Sequence, residues 1–311
     1  FSSTVSVINN QWQSPELLNE SCGADYVKTN QRFPKGVSGN SENECIYCSF
    51  DGDADRIVFY YHDEKSKFNL LDGDKISTLF AKFFKELLVA AGAENELKLG
   101  VVQTAYANGS STEYLSSILE VPVSCTATGV KHLHHEAIHN YDIGIYFEAN
   151  GHGTVIFSDE FHKTIDKKLK EPQDDKTAKA LKTLYLFTNL INQTVGDAIS
   201  DMLAVLAVLC ILKWSPQKWD QEYTDLPNKL VKVIVPDRSV FKTSNAERQL
   251  VSPKGLQEKI DSTVQEFEHG RSFVRASGTE DAVRVYAEAA TKEKADRLAA
   301  RVSDLVSRSV S

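Results

Sequence analysis

The chain has 311 residues, with 35 lysines and arginines against 43 aspartates and glutamates, and a net charge of −8. Hydrophobic residues make up 41% of the chain and charged residues 25%, a balance typical of globular proteins and not of disordered ones. The acidic charge argues against a nucleic-acid-binding protein, because phosphate backbones select basic surfaces. At about 100–200 residues per domain, this length predicts two or three domains.

Apolar runs and cysteines bear on the compartment in which the chain acts. The longest apolar run, Met202–Leu212, has 11 residues, fewer than the ~20 that a bilayer-spanning helix needs, and is predicted to be a buried helix. The first residues show neither the basic nor the apolar region of a signal peptide. An odd and sparse set of 5 cysteines indicates a reducing compartment. We therefore expect a cytoplasmic protein with no membrane partner.

Predicted strands and helices alternate along most of the chain. An apolar segment at 44–50 is predicted to be a strand, and a polar turn separates it from a second strand at 57–61. A helix is predicted after Asp72-Gly73-Asp74, because apolar residues recur from Ile76 to Leu88 at spacings of three and four. The alternation indicates α/β layers. Further strands are predicted at 99–104, 121–125, 143–148, 229–235, 271–275 and 283–289, and helices within 174–213, at 253–268 and at 291–309.

The segment Asp51-Gly52-Asp53-Ala54-Asp55-Arg56 (the aspartate loop) is a candidate metal site. In extended backbone, alternate side chains point the same way, so three carboxylates would share one face and repel unless a cation lay between them. Oxygen ligands suit Mg²⁺ or Ca²⁺. An EF-hand is excluded, since it needs Gly and Glu where this chain has Arg56 and His62. The alternative is a solvated acidic turn, and three alternating aspartates between apolar strands favour the metal.

A second candidate site follows the strand predicted at 271–275. There the chain reads Arg275-Ala276-Ser277-Gly278-Thr279-Glu280, and Arg284 follows. A Ser-Gly-Thr turn exposes successive backbone N–H groups that can bind an anion, and arginines match phosphate oxygens as a bidentate fork. An ordinary glycine turn between strands explains the same residues equally well, so this pattern alone leaves both interpretations open.

A third candidate is Glu148-Ala149-Asn150-Gly151-His152-Gly153-Thr154 (the Asn150 loop), which follows the predicted strand Ile143–Phe147. Loops at the carboxyl ends of strands are the usual ligand positions in α/β sheets. Glutamate and asparagine offer acceptors and donors for sugar hydroxyls. By itself this signal is weak.

A formal HExxH motif, His135-Glu136-x-x-His139, is the main rival signal. On a helix, the two histidines would share a face and could bind zinc, with the glutamate as general base of a peptidase. The extended downstream pattern of such peptidases is missing, although Glu160 or Glu171 could supply a third ligand. A surface helix with several histidines is the favoured interpretation.

Taken together and in order, these segments resemble the α-D-phosphohexomutase superfamily. The aspartate loop is similar to the family's metal loop, the Asn150 loop to its sugar loop, and Arg275–Thr279 to its phosphate loop. The resemblance covers nearly the whole chain, and three loops in the right order and spacing are far more specific than any one of them. Three further segments are also similar to family segments: Gly23–Lys28, Thr128–His132 (the Thr128 loop) and Gly196–Asp201.

The resemblance implies roles for individual residues. Mg²⁺ would bind to Asp51, Asp53 and Asp55, with Arg56 supporting that loop, and Lys131 is a candidate for acid–base catalysis. The expected substrate-binding residues are Glu148, Ala149 and Asn150 for the sugar, Thr128 and Gly129 in the Thr128 loop, and Arg275, Ala276, Ser277, Gly278, Thr279 and Arg284 for a phosphate.

The implied reaction is the interconversion of N-acetylglucosamine 6-phosphate and N-acetylglucosamine 1-phosphate, a step of UDP-N-acetylglucosamine biosynthesis. It would proceed through an enzyme phosphoserine and a bisphosphate intermediate. Members specific for glucose or mannose generally carry serine where this chain has Asn150, so that residue points to the acetylated sugar. The alternatives kept open are a non-catalytic module that binds sugar phosphates and the HExxH zinc peptidase.

The family has four domains, and its serine lies in a Ser-His-Asn loop of the first, which this sequence does not contain. We therefore expect a C-terminal portion of a mutase that is inactive alone, with the serine-bearing domain as its partner. The expected parts are the end of domain 2 at 1–62, domain 3 at 63–215 and domain 4 at 216–311. The first parts should be α/β with mixed sheets, and the last α+β.

Overall fold

The computed structural model describes residues 5–37, 45–278 and 280–310. It divides into two compact units. The first runs through Val101 and includes Ala137–Glu222, and the second consists of Val102–Glu136 and the chain from Tyr223 onwards. The three parts expected from the sequence, 1–62, 63–215 and 216–311, stay a prediction.

The first unit contains an antiparallel sheet, strands of a second sheet and a set of helices. The antiparallel sheet consists of β1 (Tyr47–Phe50), β2 (Ile57–His62) and β3 (Phe68–Leu71) in that order. The strands of the second sheet lie in the order β4 (Leu99–Thr104, of which this unit holds the start), β6 (Ile143–Phe147) and β7 (Gly153–Phe157). The helices are α1 (Ala24–Asn30), α2 (Gly73–Ala90), α5 (Asp159–Leu169), α6 (Asp175–Leu190), α7 (Ala198–Leu212) and α8 (Pro216–Asp220).

Strand β2 is the centre of the sheet β1-β2-β3, and all of its residues are buried. Helix α1 covers this sheet, where Ala24 and Val27 pack against Val58 and Tyr60. The predicted strand at 44–50 begins at Tyr47, and residue 44 lies outside the described residues. The turn between β1 and β2 is the aspartate loop, so paired strands of one sheet hold both of its ends.

Two helices of this unit test specific predictions. Helix α2 begins where predicted, because Asp72 accepts a hydrogen bond from the backbone N–H of Asp74 and caps the first turn. The apolar run 202–212 lies in helix α7 as predicted, but the expected burial applies to only part of it. Leu203 and Ile211 are exposed, while Val205 and other residues of the opposite side are buried.

The second unit has a three-stranded antiparallel sheet in the order β11 (Arg271–Ala276), β12 (Ala282–Glu288) and β8 (Asn228–Ile234). Helices α9 (Leu256–Val264) and α10 (Lys292–Arg308) contact this sheet and form one apolar core with it, which includes Val285, Ile260 and Val302. Further elements of this unit are α3 (Gly109–Glu113), a π-helical turn (Tyr114–Ile118), β5 (Val123–Thr126), the start of α4 (Val130–Asn140), β9 (Lys242–Ser244) and β10 (Gln249–Ser252).

The expected fold class, α/β with a C-terminal α+β part, is confirmed. The sequence did not reveal β9 and β10, because strands of three and four residues are too short to show a periodicity. Among the described residues, no helix combines the length and the apolar character that crossing a bilayer requires.

Candidate functional site

The aspartate loop is a turn, as predicted between the two strands, but the extended backbone expected to align its carboxylates was wrong. Ala54 has a φ of 57°, and its N–H donates to the carbonyl of Asp51 at 3.3 Å. The carboxylates of the turn nevertheless converge. Ligand oxygens of Asp51, Asp53 and Asp55 lie within 4.8 Å of one another.

Arg56 and backbone N–H groups hold this turn from inside. One carboxylate oxygen of Asp51 accepts from the backbone N–H groups of Asp55 and Arg56, at 3.0 and 3.2 Å. The guanidinium of Arg56 lies 3.2 Å from Asp51 and 3.3 Å from Asp55, and also pairs with Asp25 of α1 at 3.1 Å. Burial lowers the pKa of Arg56, but the three carboxylates outweigh this, and the pKa is raised above its ordinary value.

These carboxylates fit a hard cation. Asp53 is exposed and Asp51 and Asp55 are partly buried, so an ion could reach all three from solvent. Arg56 neutralises only part of their charge, because its single positive charge is shared between Asp51, Asp55 and Asp25. Three converging carboxylates with one guanidinium are a donor set for Mg²⁺ or Ca²⁺.

The Asn150 loop is the tight turn between β6 and β7, in the position predicted after a buried strand. Its backbone closes through a hydrogen bond from the N–H of Glu148 to the carbonyl of His152 at 2.8 Å. The side-chain oxygen of Asn150 accepts from the N–H of His152 at 3.1 Å. The amide N–H groups of Asn150 are therefore the donors that this side chain can offer to a ligand. Glu148, Ala149 and Asn150 are all partly exposed.

Close backbone contacts join the aspartate loop to the Asn150 loop. The N–H of Ile57 donates to the carbonyl of Gly151 at 3.2 Å, and Nδ1 of His152 lies 3.5 Å from a carboxylate oxygen of Asp55. Gly151 has a φ of 90°, and a Cβ there would lie 1.8 Å from the carbonyl oxygen of Ile57. Only glycine allows this approach, so the first unit presents the metal candidates and the sugar candidates side by side.

Three cationic side chains form a row across the sheet of the second unit. Arg275 on β11 lies directly opposite Arg284 on β12, and Arg284 lies opposite Lys232 on β8. Cross-strand partners in an antiparallel sheet point to the same face with Cβ atoms about 5 Å apart, and like charges there repel. Such a row is stable when anions lie against it. Glu280 pairs with Lys232 and Glu247 with Arg275.

The turn after β11 continues this row. The N–H of Ser277 donates to the carbonyl of Ala282 at 2.8 Å, so it closes the turn and cannot also serve an anion. Ser277 is buried, Ala276 is partly exposed and Gly278 is exposed. Thr279 lies outside the described residues. The arginines and the exposed end of the turn remain as the anion-binding groups.

The Thr128 loop also belongs to the second unit. Its Thr128 donates from the backbone N–H and from Oγ1 to one carboxylate oxygen of Glu247, at 2.9 and 2.5 Å. Gly129 has a φ of 121° and precedes α4, where Lys131 is exposed. The structure therefore brings Thr128 and Arg275 to the same glutamate, which belongs to none of the sequence motifs.

The HExxH motif does lie on a helix, α4, with His135 and His139 exposed. Over the described ranges, the one group of three or more potential metal ligands that converge is Asp51, Asp53 and Asp55. A third zinc ligand, which a peptidase would need, does not join the two histidines there.

Comparison with known proteins decides the family. Models described as phosphoacetylglucosamine mutase AMG1 match residues 2–58 (domain II) and 72–214 (domain III), and a phosphoglucomutase/phosphomannomutase C-terminal domain matches 230–305. The Saccharomyces cerevisiae phosphoacetylglucosamine mutase is 67% identical over 93% of this chain and 52% of its own length. This chain belongs to the phosphoacetylglucosamine mutase family. The human phosphoacetylglucosamine mutase is 56% identical over 92% of the chain and 52% of its own length.

A solved structure of the Aspergillus fumigatus N-acetylphosphoglucosamine mutase, in complex with GlcNAc-6P and magnesium, superimposes with a TM-score of 0.93. It shares 54% identity, and the match covers 97% of this chain and 60% of that one. The chain spans about half the length of the curated relatives that it matches.

Some residues around the mutase-family loops could not be found from the sequence. Asp25 and His152 lie in segments that the resemblance covers, but no pattern says that they contact the aspartate loop. Glu247 is 119 residues from Thr128, and nothing near it in the sequence marks it as a partner.

Proposed function

We propose that this chain supplies the metal-, sugar- and phosphate-binding groups of a phosphomutase that interconverts N-acetylglucosamine 6-phosphate and N-acetylglucosamine 1-phosphate. The observation that carries the proposal is the Asn150 loop held against three converging carboxylates in a member of the phosphoacetylglucosamine mutase family. This reaction is a step towards UDP-N-acetylglucosamine. Among the described residues, no geometry favours a non-catalytic module or a zinc peptidase.

In the proposed reaction, a phosphoserine donates its phosphoryl group to the free hydroxyl of the sugar phosphate, and the hydroxyl proton passes to a base. The bisphosphate formed then turns around and returns its other phosphoryl group to the serine. The serine belongs to a domain outside these 311 residues, because this sequence lacks a Ser-His-Asn loop. That domain is the proposed partner, and the chain alone is inactive.

Asp51, Asp53 and Asp55 would hold Mg²⁺, which supplies charge stabilisation for the transferring phosphoryl group. Arg56 keeps the aspartate loop folded by pairing with two of its carboxylates. Its permanent charge also limits repulsion within the loop, so the carboxylates stay together.

The remaining predicted residues position the substrate. Glu148 and Asn150 bind sugar hydroxyls or the acetamido group, with Ala149 in the same turn, and Thr128 and Gly129 contribute to sugar selection. Lys131 is the candidate for proton transfer. Phosphoryl transfer depends mainly on positioning and charge stabilisation, so these contacts account for most of the chain's contribution. The phosphate that does not react is bound by Arg275, Ala276, Ser277, Gly278, Thr279 and Arg284.

The proposal places the activity in the cytoplasm. All five cysteines are free thiols, as a reducing compartment favours. Burial raises the pKa of the Cys48 thiol to about 11, so Cys48 lacks the thiolate that redox exchange needs.

The test is calorimetric titration of the chain with N-acetylglucosamine 6-phosphate, beside glucose 6-phosphate. We expect the chain to bind the acetylated sugar preferentially, and we expect Arg275→Ala to lose that binding. In Asn150→Ser the preference for the acetylated sugar should fall, because the amide donors of Asn150 are removed. Equal binding of both sugars by the parent chain, or unchanged preference in Asn150→Ser, would contradict the assignment of sugar specificity.

A further inference from the structure

The turn between β9 and β10 in the second unit has a left-handed backbone conformation. Asn245, Ala246 and Glu247 have φ values of 52°, 55° and 65°. Three successive residues other than glycine in the left-handed region are strained, and such strain persists only where surrounding contacts impose it. Arg248 provides one such contact, because its guanidinium donates to the carbonyl and the side-chain oxygen of Asn245 at 3.1 and 2.7 Å.

Glu247 provides the other contact. One carboxylate oxygen accepts two hydrogen bonds from Thr128, and the other lies 3.4 Å from Nε of Arg275. Its side chain is only 19% exposed, and that of Arg275 20%. The strained turn at 245–247 therefore directs the carboxylate of Glu247 onto both the Thr128 loop and the cationic row.

The contact with Arg275 is one of charge and not a well-formed hydrogen bond. Nε of Arg275 is buried and lacks a hydrogen-bond partner of good geometry among residues 5–37, 45–278 and 280–310. The guanidinium also lies 5.9 Å from the ring centroid of Tyr106. A carboxylate at Nε and an aromatic ring next to the guanidinium fix the orientation of that group.

We infer that Glu247 is a positioning residue that holds Thr128 and Arg275 in the arrangement that binds the sugar phosphate. This inference rests on the proposed function for its substrate, but not for the contacts that carry it. Glu247 acts through Thr128 and Arg275 and contributes no group to the reaction. Glu247 thereby couples the sugar-selecting Thr128 loop of the proposed site to its phosphate-binding arginine, Arg275.

The experiment compares Glu247→Ala, Glu247→Gln and the control Glu266→Ala. Glu266 also lies in the second unit and pairs with an arginine, Arg301, at 2.7 Å, but on the exposed surface. The first measurement needs no ligand. Hydrogen exchange of the Thr128 amide should speed up about tenfold or more in Glu247→Ala, since a hydrogen bond to a carboxylate is lost. Glu247→Gln keeps an acceptor and should restore most of the protection, and Glu266→Ala should change nothing.

The second measurement is the affinity for N-acetylglucosamine 6-phosphate. We expect Glu247→Ala to weaken this affinity about tenfold or more. Glu247→Gln should weaken it less, because that variant keeps an acceptor for Thr128 and loses only the negative charge that faces Arg275. Tighter binding by Glu247→Gln would overturn the inference, since that result identifies a carboxylate that competes with the phosphate. Unchanged Thr128 exchange in Glu247→Ala would also overturn it. If the parent chain binds no sugar phosphate, the proposed function fails, and the exchange result alone decides whether Glu247 couples the two loops.

Discussion

Ile57 and Gly151 are joined by a backbone hydrogen bond of 3.2 Å between the start of β2 and the turn after β6. Ile57 directly follows the aspartate loop, and Gly151 lies within the Asn150 loop. A bond between main chains fixes their relative position whatever side chains surround them. The spacing of the two loops is therefore set by the fold of the first unit.

Substitution of Gly151 by alanine tests this contact. The new Cβ would lie 1.8 Å from the carbonyl oxygen of Ile57, and backbone cannot move aside as a side chain can. We expect the free energy of unfolding to fall by about 3 kcal/mol or more, from backbone strain plus the displaced hydrogen bond. Urea unfolding of both proteins measures the difference.

Gly92→Ala is the matched control, since Gly92 also lies in the first unit and has a φ of 58°, but nothing lies within 4 Å of a Cβ there. It should show only the strain of left-handed backbone, about 1 kcal/mol. Equal losses in the two variants would mean that the approach of Ile57 to Gly151 is unimportant.

Features that depend on residues close together in the sequence could be predicted, whereas contacts between residues far apart in the sequence could not. The start of α2 and the turn after β6 follow from neighbouring residues, Asp72 for one and the buried strand for the other. The aspartate loop was placed correctly, but its backbone was not, because Ala54 in a left-handed conformation follows from no residue preference. The contact of Glu247 with Thr128 arises only from tertiary structure.

The aspartate loop should bind a divalent cation through Asp53. Asp53→Asn removes the most exposed of the three carboxylates, and we expect the dissociation constant for Mg²⁺ to rise about tenfold or more. In EDTA the same change removes repulsion between like charges, so the melting temperature should stay level or rise. Calorimetry and thermal melts with and without Mg²⁺ measure the two effects.

The exposed Asp175→Asn serves as the control for the metal titration, since Asp175 lies in the first turn of α6 and belongs to no group of converging ligands over the described ranges. Parallel changes in both variants would show that only a general charge effect is measured. Unaltered Mg²⁺ affinity in Asp53→Asn would remove this residue from the proposed metal site.

A buried ion pair stabilises the second unit. Glu288 is buried and pairs with Arg271 at 2.8 Å, and it also accepts from the N–H of Gly109 and the hydroxyl of Tyr286. Arg271→Met would leave this carboxylate without its counter-charge. We expect a loss of about 3 kcal/mol, near the lower end for a broken buried pair because Arg271 is itself one-third exposed.

Arg301→Met is a close control, because Arg301 also pairs with a glutamate and lies over an aromatic ring, but its partner Glu266 is on the surface. Its melting temperature should match that of the parent chain, since exposed pairs contribute little. A similar loss in both variants would show that burial of Glu288 does not set the strength of the pair.

Asp201 in α7 should make the free energy of unfolding depend on pH. It is buried, and neither carboxylate oxygen has a hydrogen-bond partner in the described part of the chain. Burial, with a smaller contribution from the charge of Asp197, raises its pKa well above the ordinary value for aspartate. Between the unfolded pKa of about 3.9 and this raised value, the folded state binds more protons than the unfolded state.

The contribution of Asp201 to the free energy of unfolding is therefore largest below about pH 4. It declines as the pH rises towards the raised pKa of Asp201. Asp201→Asn cannot ionise, so its free energy of unfolding should fall less with pH over that interval, and urea unfolding at a series of pH values measures the slope. Asp166→Asn, an exposed change on α5, should leave the slope of the parent chain unaltered. Identical slopes in the parent chain and Asp201→Asn would mean that Asp201 ionises alike in the folded and unfolded states, which a carboxyl buried without a hydrogen bond cannot do.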